Sequence, residues 1–109
     1  MLLKGRTSPV SVPIVSIDDF CRETLLVPNW IIIDIEGFEI AALEGAMNLL
    51  QTHPVGLIVE MHANVWDSAQ TTREEAEALF RLLGREPVPL TGQRDPIRDH
   101  GIVALERTL

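Results

Sequence analysis

Apolar positions along the chain alternate between two periods. "WIIIDI" and "VGLIVEM" are nearly unbroken runs rich in β-branched residues, the mark of strands buried on both faces. From Phe38 to about Leu50 the spacing turns helical. Glu44, Asn48 and Gln51 share a narrow polar face, and Ile40, Leu43, Ala46, Met47, Leu49 and Leu50 fill a broad apolar arc. Gly45, beside Ala41, Ala42 and Ala46, costs that helix about 1 kcal/mol relative to Ala and predicts close approach to a sheet. "TTREEAEALFRLLG" carries the clearest helix pattern. Thr71 with Glu74, and Thr72 with Glu75, give overlapping capping boxes; Ala76, Leu79, Phe80 and Leu83 form a stripe, and Gly84 is a stop.

The flanks are shorter. "VSVPIVSI" predicts an edge or short strand, because Pro13 lacks a ladder donor. "SIDDFCRETLL" predicts a helix capped by Ser16, with Asp18 and Asp19 in the first turn, where the helix dipole favours acids. Residues Met1 to Ser8 read as an irregular entry. "PVPL" and "GIVALE" predict two closing strands joined by the turn-rich "TGQRDPIRDH". The order β-α-β-α-β-α-β-β makes this an α/β protein: a mostly parallel sheet with flanking helices and a C-terminal β-hairpin. A chain of 109 residues holds one core, hence a single domain.

In such sheets ligands bind beyond the carboxyl ends of the strands, and here the two strongest strands end in ionisable residues. One ends in Asp34 and Glu36, the other in Glu60 and His62. Period-two alternation puts each pair on one side of its strand, so neighbouring strands would bring four ligating groups to one rim. Glu39 falls inside the apolar arc of the next helix, facing the sheet. Taken singly, these residues have ordinary structural uses: Glu39 with the helix dipole, Asp34 with backbone N–H groups, His62 in solvent. Taken together they predict a site for a hydroxylated or cationic ligand, or a divalent metal. His53 and His100 fall in turns and are read as solvated; Trp30 and Trp66 are read as packing residues.

Charge and composition narrow the partners. A net charge of −7 argues against binding nucleic acid or anionic lipid. The lone Cys21 excludes an internal disulfide and lies on a helix face, where a packed thiol is expected. No stretch has the length of a membrane span or the form of a signal peptide, so a soluble, cytoplasmic protein is expected.

"VPIVSIDDF", "IIIDIEGFEIAALEGAMNLL" and "PVGLIVEMH", in that order and spacing, resemble successive blocks of the FkbM family of methyltransferases. Asp34, Glu36, Gly37 and Glu39 occupy the fixed positions of a motif resembling I-K-I-D-x-E-G-x-E, and Leu43, Gly45 and Ala46 continue it; Ile32 stands where the family commonly has Lys. The match runs from about Val12 to His62. The resemblance implies a partial Rossmann-like methyltransferase fold, S-adenosylmethionine as donor, and an oxygen of a small molecule or sugar as acceptor. It implies catalytic roles for Asp34, Glu36 and Glu60, cofactor contacts for Asp34, Gly37 and Glu39, and substrate contacts for Glu60 and His62. It aligns residues 1–109 with the second half of that fold, and the seven glycines form no G-x-G-x-x-G turn. An incomplete or inactive isolated chain is therefore expected, its "WIIIDI" edge covered by Val10 to Ile17 or by a second copy in a homodimer. Two alternatives stand beside the enzyme: a non-catalytic dimerisation or binding module, and a small metal-dependent enzyme using the acidic rim.

Overall fold

In a computed structural model, which describes residues 9–108, the two β-branched runs become neighbouring strands. The irregular entry expected for residues 1–8 lies outside the described residues. β1 (Trp30–Ile33) and β2 (Gly56–Met61) are parallel, with Trp30 opposite Gly56 and Ile33 opposite Val59. The crossover between them contains α2 (Glu39–Glu44) and α3 (Met47–Thr52). After β2, a 3-10 turn (Ala63–Val65) and α4 (Arg73–Leu83) lead to β3 (Arg85–Pro89). β4 (Gly101–Arg107) then returns antiparallel between β2 and β3, giving the sheet order β1-β2-β4-β3.

The sheet is therefore mixed, not mostly parallel. No helix separates β3 from β4, and a connection without one folds straight back; β4 then takes the place beside β2 and reverses against both neighbours. The C-terminal hairpin itself is as expected.

Burial alternates along the strands. Ile33, Leu57, Val59, Val103 and Leu105 lie in the core under the helices, with Ile40, Leu43, Leu49, Leu50, Leu79 and Phe80 packed over them. On the other face Trp30 is 64% and Ile32 75% exposed. "WIIIDI" is thus a strand covered on one face, a correction to the expected burial on both. β1 also ends at Ile33, so Asp34 and Glu36 lie on a loop. The segment before α1 (Ile17–Thr24) forms no strand, and Val10, Val12 and Ile14 are exposed. The predicted strand at Val10 to Ile17 is absent, and it leaves the edge of β1 unpaired among the described residues. Pro13, with no strand partner for its exposed neighbours among the described residues, explains why β-branching alone was insufficient.

The single helix expected from Phe38 to Leu50 is two helices. Asp18, on α1, accepts from the N–H groups of Asn48 and Leu49 at 2.9 Å each, capping α3 from outside. Its own N–H donates to the Gly45 carbonyl at 2.8 Å. An added Cβ on Gly45 would lie 3.1 Å from Ser16 Cβ, so the close approach is to the start of α1 and not to the sheet. Other local signals hold. Ser16 Oγ accepts from Asp19 N at 3.0 Å. Of the two capping boxes the structure forms Thr72 with Glu75, and Gly84 ends α4 in the left-handed region.

Candidate functional site at the carboxyl ends of β1 and β2

Because β1 and β2 are parallel and in register, the residues that follow them emerge side by side. The chain leaves β1 through a tight turn in which Glu36 has φ 53° and Gly37 φ 107°. A Cβ at Gly37 would stand 2.7 Å from Val65 Cγ2, so both conformation and space call for glycine there. The turn aims the Gly37 N–H at Glu39 Oε1, 2.9 Å away.

Glu39 is fully buried, and the opposite oxygen of its carboxylate accepts from the His62 N–H at 2.7 Å and from Trp66 Nε1 at 2.8 Å. One side chain thereby ties the loop after β1 to the loop after β2. A buried carboxylate needs such donors to offset desolvation. Helical projection had turned Glu39 toward the sheet; the structure places it behind the rim, its oxygens occupied by protein donors. Trp66, read as a packing residue, is 3% exposed and also a donor in this tie.

In front of the tie lies His62, with its side chain 6% exposed. Its Nε2 is 3.2 Å from Glu60 Oε2, 3.7 Å from Asp34 Oδ1 and 3.8 Å from Glu36 Oε2. Its Nδ1 faces Glu39 Oε1 at 3.5 Å and is enclosed without a hydrogen-bond partner. Three of the four residues expected at the rim therefore meet around the imidazole of the fourth. His100 joins them: its Nε2 is 2.8 Å from Glu60 Oε2, and the two imidazole centroids are 4.9 Å apart. That hydrogen bond, with His62 close by, holds the Glu60 pKa below the usual carboxylate value against the opposing effect of burial.

His100 was expected in a solvated turn. It directly precedes β4, and Gly101 pairs with Met61, so an antiparallel strand beside β2 returns its first residue to the end of β2. The signal was available in the residue order, but only once β4 is placed next to β2. His53 stays away from the rim; its Nδ1 meets Thr52 Oγ1 at 2.9 Å.

Acids and imidazoles on one edge suit proton transfer, cation binding or orientation of a hydroxyl group. No helix among the described residues is long and apolar enough to cross a membrane. No curated protein and no solved structure matches the chain. A family model described as the methyltransferase FkbM domain matches residues 2–90, and by that span the chain belongs to the FkbM methyltransferase family.

Proposed function

We propose that this chain is a domain of an S-adenosylmethionine-dependent O-methyltransferase, with a hydroxyl of a small molecule or sugar as acceptor. The observation that carries the reading is the meeting of Asp34, Glu36, Glu60 and His62 at one strand edge, inside the span matched by the family. When bound, S-adenosylmethionine supplies an electrophilic methyl group on a cationic sulfur. The rim suits that charge: Asp34, Glu36 and Glu60 carry no Lys or Arg partner among the described residues. The fit extends to the donor's cationic centre alone, since the sequence has no glycine-rich turn to cradle the rest. We accordingly take the isolated chain to be a weak catalyst at best.

In this reading Asp34 and the Gly37 backbone border the donor, and Glu39 acts from behind by fixing the Gly37 and His62 backbones. Glu60 and His62 face the acceptor. Glu60, its pKa lowered by the His100 hydrogen bond, would orient the acceptor hydroxyl together with the exposed Asp34 and Glu36, and these carboxylates would hold the proton it gives up. Holding acceptor and methyl group in contact supplies most of the rate. Adding S-adenosylmethionine to the ¹⁵N-labelled chain should shift the amides of residues 34–37 and 60–62, and Asp34→Asn should weaken that binding about tenfold. No response, or shifts confined to other residues, would overturn the reading.

A second reading rests on a different observation. The unpaired edge of β1, with Trp30 and Ile32 exposed beside it, suits a non-catalytic module that pairs with a second copy. Sedimentation at rising concentration separates the two: a stable dimer that does not bind the donor favours the module.

A further inference from the structure

We propose that Glu60, His62 and His100 form a site for one divalent first-row transition cation, closed by Asp34 and Glu36. Two groups of ligating atoms converge here, Glu60 with His62 and His100, and Asp34 with Glu36 and His62; within each group the atoms lie within 4.8 Å of one another. His62 belongs to both and is the centre of the site.

Proximity of acids alone would not carry this. The independent observation is His62 itself. Its side chain is more than nine-tenths buried, yet among the described residues its Nδ1 has no hydrogen-bond partner. Nδ1 is enclosed without a partner, and Nε2 points among three carboxylates. A buried polar ring normally finds a partner. A cation on Nε2 would fix the ring proton on Nδ1, 3.5 Å from Glu39 Oε1, and would neutralise carboxylates that no Lys or Arg among the described residues reaches.

The spacing fits. Metal–ligand bonds of about 2.0–2.2 Å put adjacent ligand atoms about 2.8–3.1 Å apart at octahedral angles and about 3.3–3.6 Å apart at tetrahedral ones. Glu60 Oε2 lies 3.2 Å from His62 Nε2 and 2.8 Å from His100 Nε2. The Asp34 and Glu36 oxygens, at 3.7 and 3.8 Å from the same nitrogen, are slightly wide, but both side chains are exposed and free to close in. The backbone behind is fixed, because Glu39 holds the N–H groups of Gly37 and His62. Two imidazoles with carboxylates select zinc, manganese or iron over magnesium, which favours an all-oxygen shell.

This inference does not rest on methyl transfer, and its test uses neither donor nor acceptor. The purified chain, stripped with a chelator, is titrated by calorimetry with Zn²⁺, Mn²⁺ and Mg²⁺, with thermal unfolding recorded alongside. One Zn²⁺ or Mn²⁺ per chain, a raised unfolding temperature and little response to Mg²⁺ are expected. His100→Ala, an exposed position, and Glu60→Gln should each weaken binding about tenfold or more, and His53→Ala should leave it unchanged. No binding of either transition cation, or binding insensitive to His100→Ala and Glu60→Gln, would overturn the assignment.

Discussion

The two ends of the sheet are each tied by one buried ionisable side chain, and they differ in what is left over. At the carboxyl end Glu39 accepts from three protein donors and joins the loops after β1 and β2. At the amino end Arg85, 5% exposed, donates to the Leu105 carbonyl at 2.9 Å and to the Val55 carbonyl at 2.6 Å. Burial, with Arg107 nearby, lowers the pKa of that guanidinium. Each tie closes its own polar account. The hollow at the amino end is lined mainly by apolar residues, Trp30, Val55, Leu57 and Leu105 among them, whereas the carboxyl end still presents Asp34, Glu36, Glu60, His62 and His100. A buried charge by itself therefore marks architecture; unsatisfied groups in front of it mark a site.

The strongest way to break this contrast is Glu39→Ala. Three donors would lose their acceptor at about 1 kcal/mol or more each, so chemical denaturation should show a loss of about 3 kcal/mol or more, together with loss of the rim's ligand response. Gly37→Ala comes next, costing about 2 kcal/mol by the same measurement, because its φ of 107° and the contact with Val65 both oppose a side chain. Arg85→Met keeps the apolar stem and strands two carbonyls. Calorimetric unfolding should show a loss of about 1–2 kcal/mol with ligand binding at the opposite end intact.

A smaller effect concerns the loop that delivers His100. Arg73 donates to Asp95 at 2.7 Å, and with the N–H groups of Arg98 and Ile97 it lowers Asp95 from 3.8 to about 2. An acid whose pKa is depressed on folding stabilises fully above its unfolded value and loses that contribution as pH falls through the folded value. Stability should therefore decline between pH 3.8 and about 2, and Asp95→Asn should flatten that slope in an acid titration followed by circular dichroism. The smallest change in stability belongs to Glu36→Gln. This 84% exposed side chain should alter unfolding by less than about 0.5 kcal/mol.

How much of this was legible follows the range of the interactions. The capping box of Thr72 and Glu75, the Ser16 cap and the apolar stripe of α4 are local, and the residues alone disclosed them. Asp34, Glu36, Glu60 and His62 were legible as a set because strand ends can be read from apolar runs, although Asp34 and Glu36 reach the rim from a loop rather than from strand. The split after Glu44 was not legible, since the acid that caps α3 is Asp18, 31 residues before Leu49. His100 was hidden for the same kind of reason. Its place depends on β4 inserting antiparallel beside β2, a tertiary choice that no window around Asp99 encodes. The exposed face of β1 is similar: β-branching reports a strand but not which layers cover it.

The most direct measurement compares urea unfolding of the wild-type chain with that of a variant carrying Asp34→Asn, Glu36→Gln and Glu60→Gln together. If these acids serve a ligand and Glu39 serves the fold, the variant should unfold near the wild-type midpoint, losing no more than the surface Glu60–His100 contact contributes. A loss of stability as large as that of Glu39→Ala would contradict the assignment, since it would make the rim part of the scaffold.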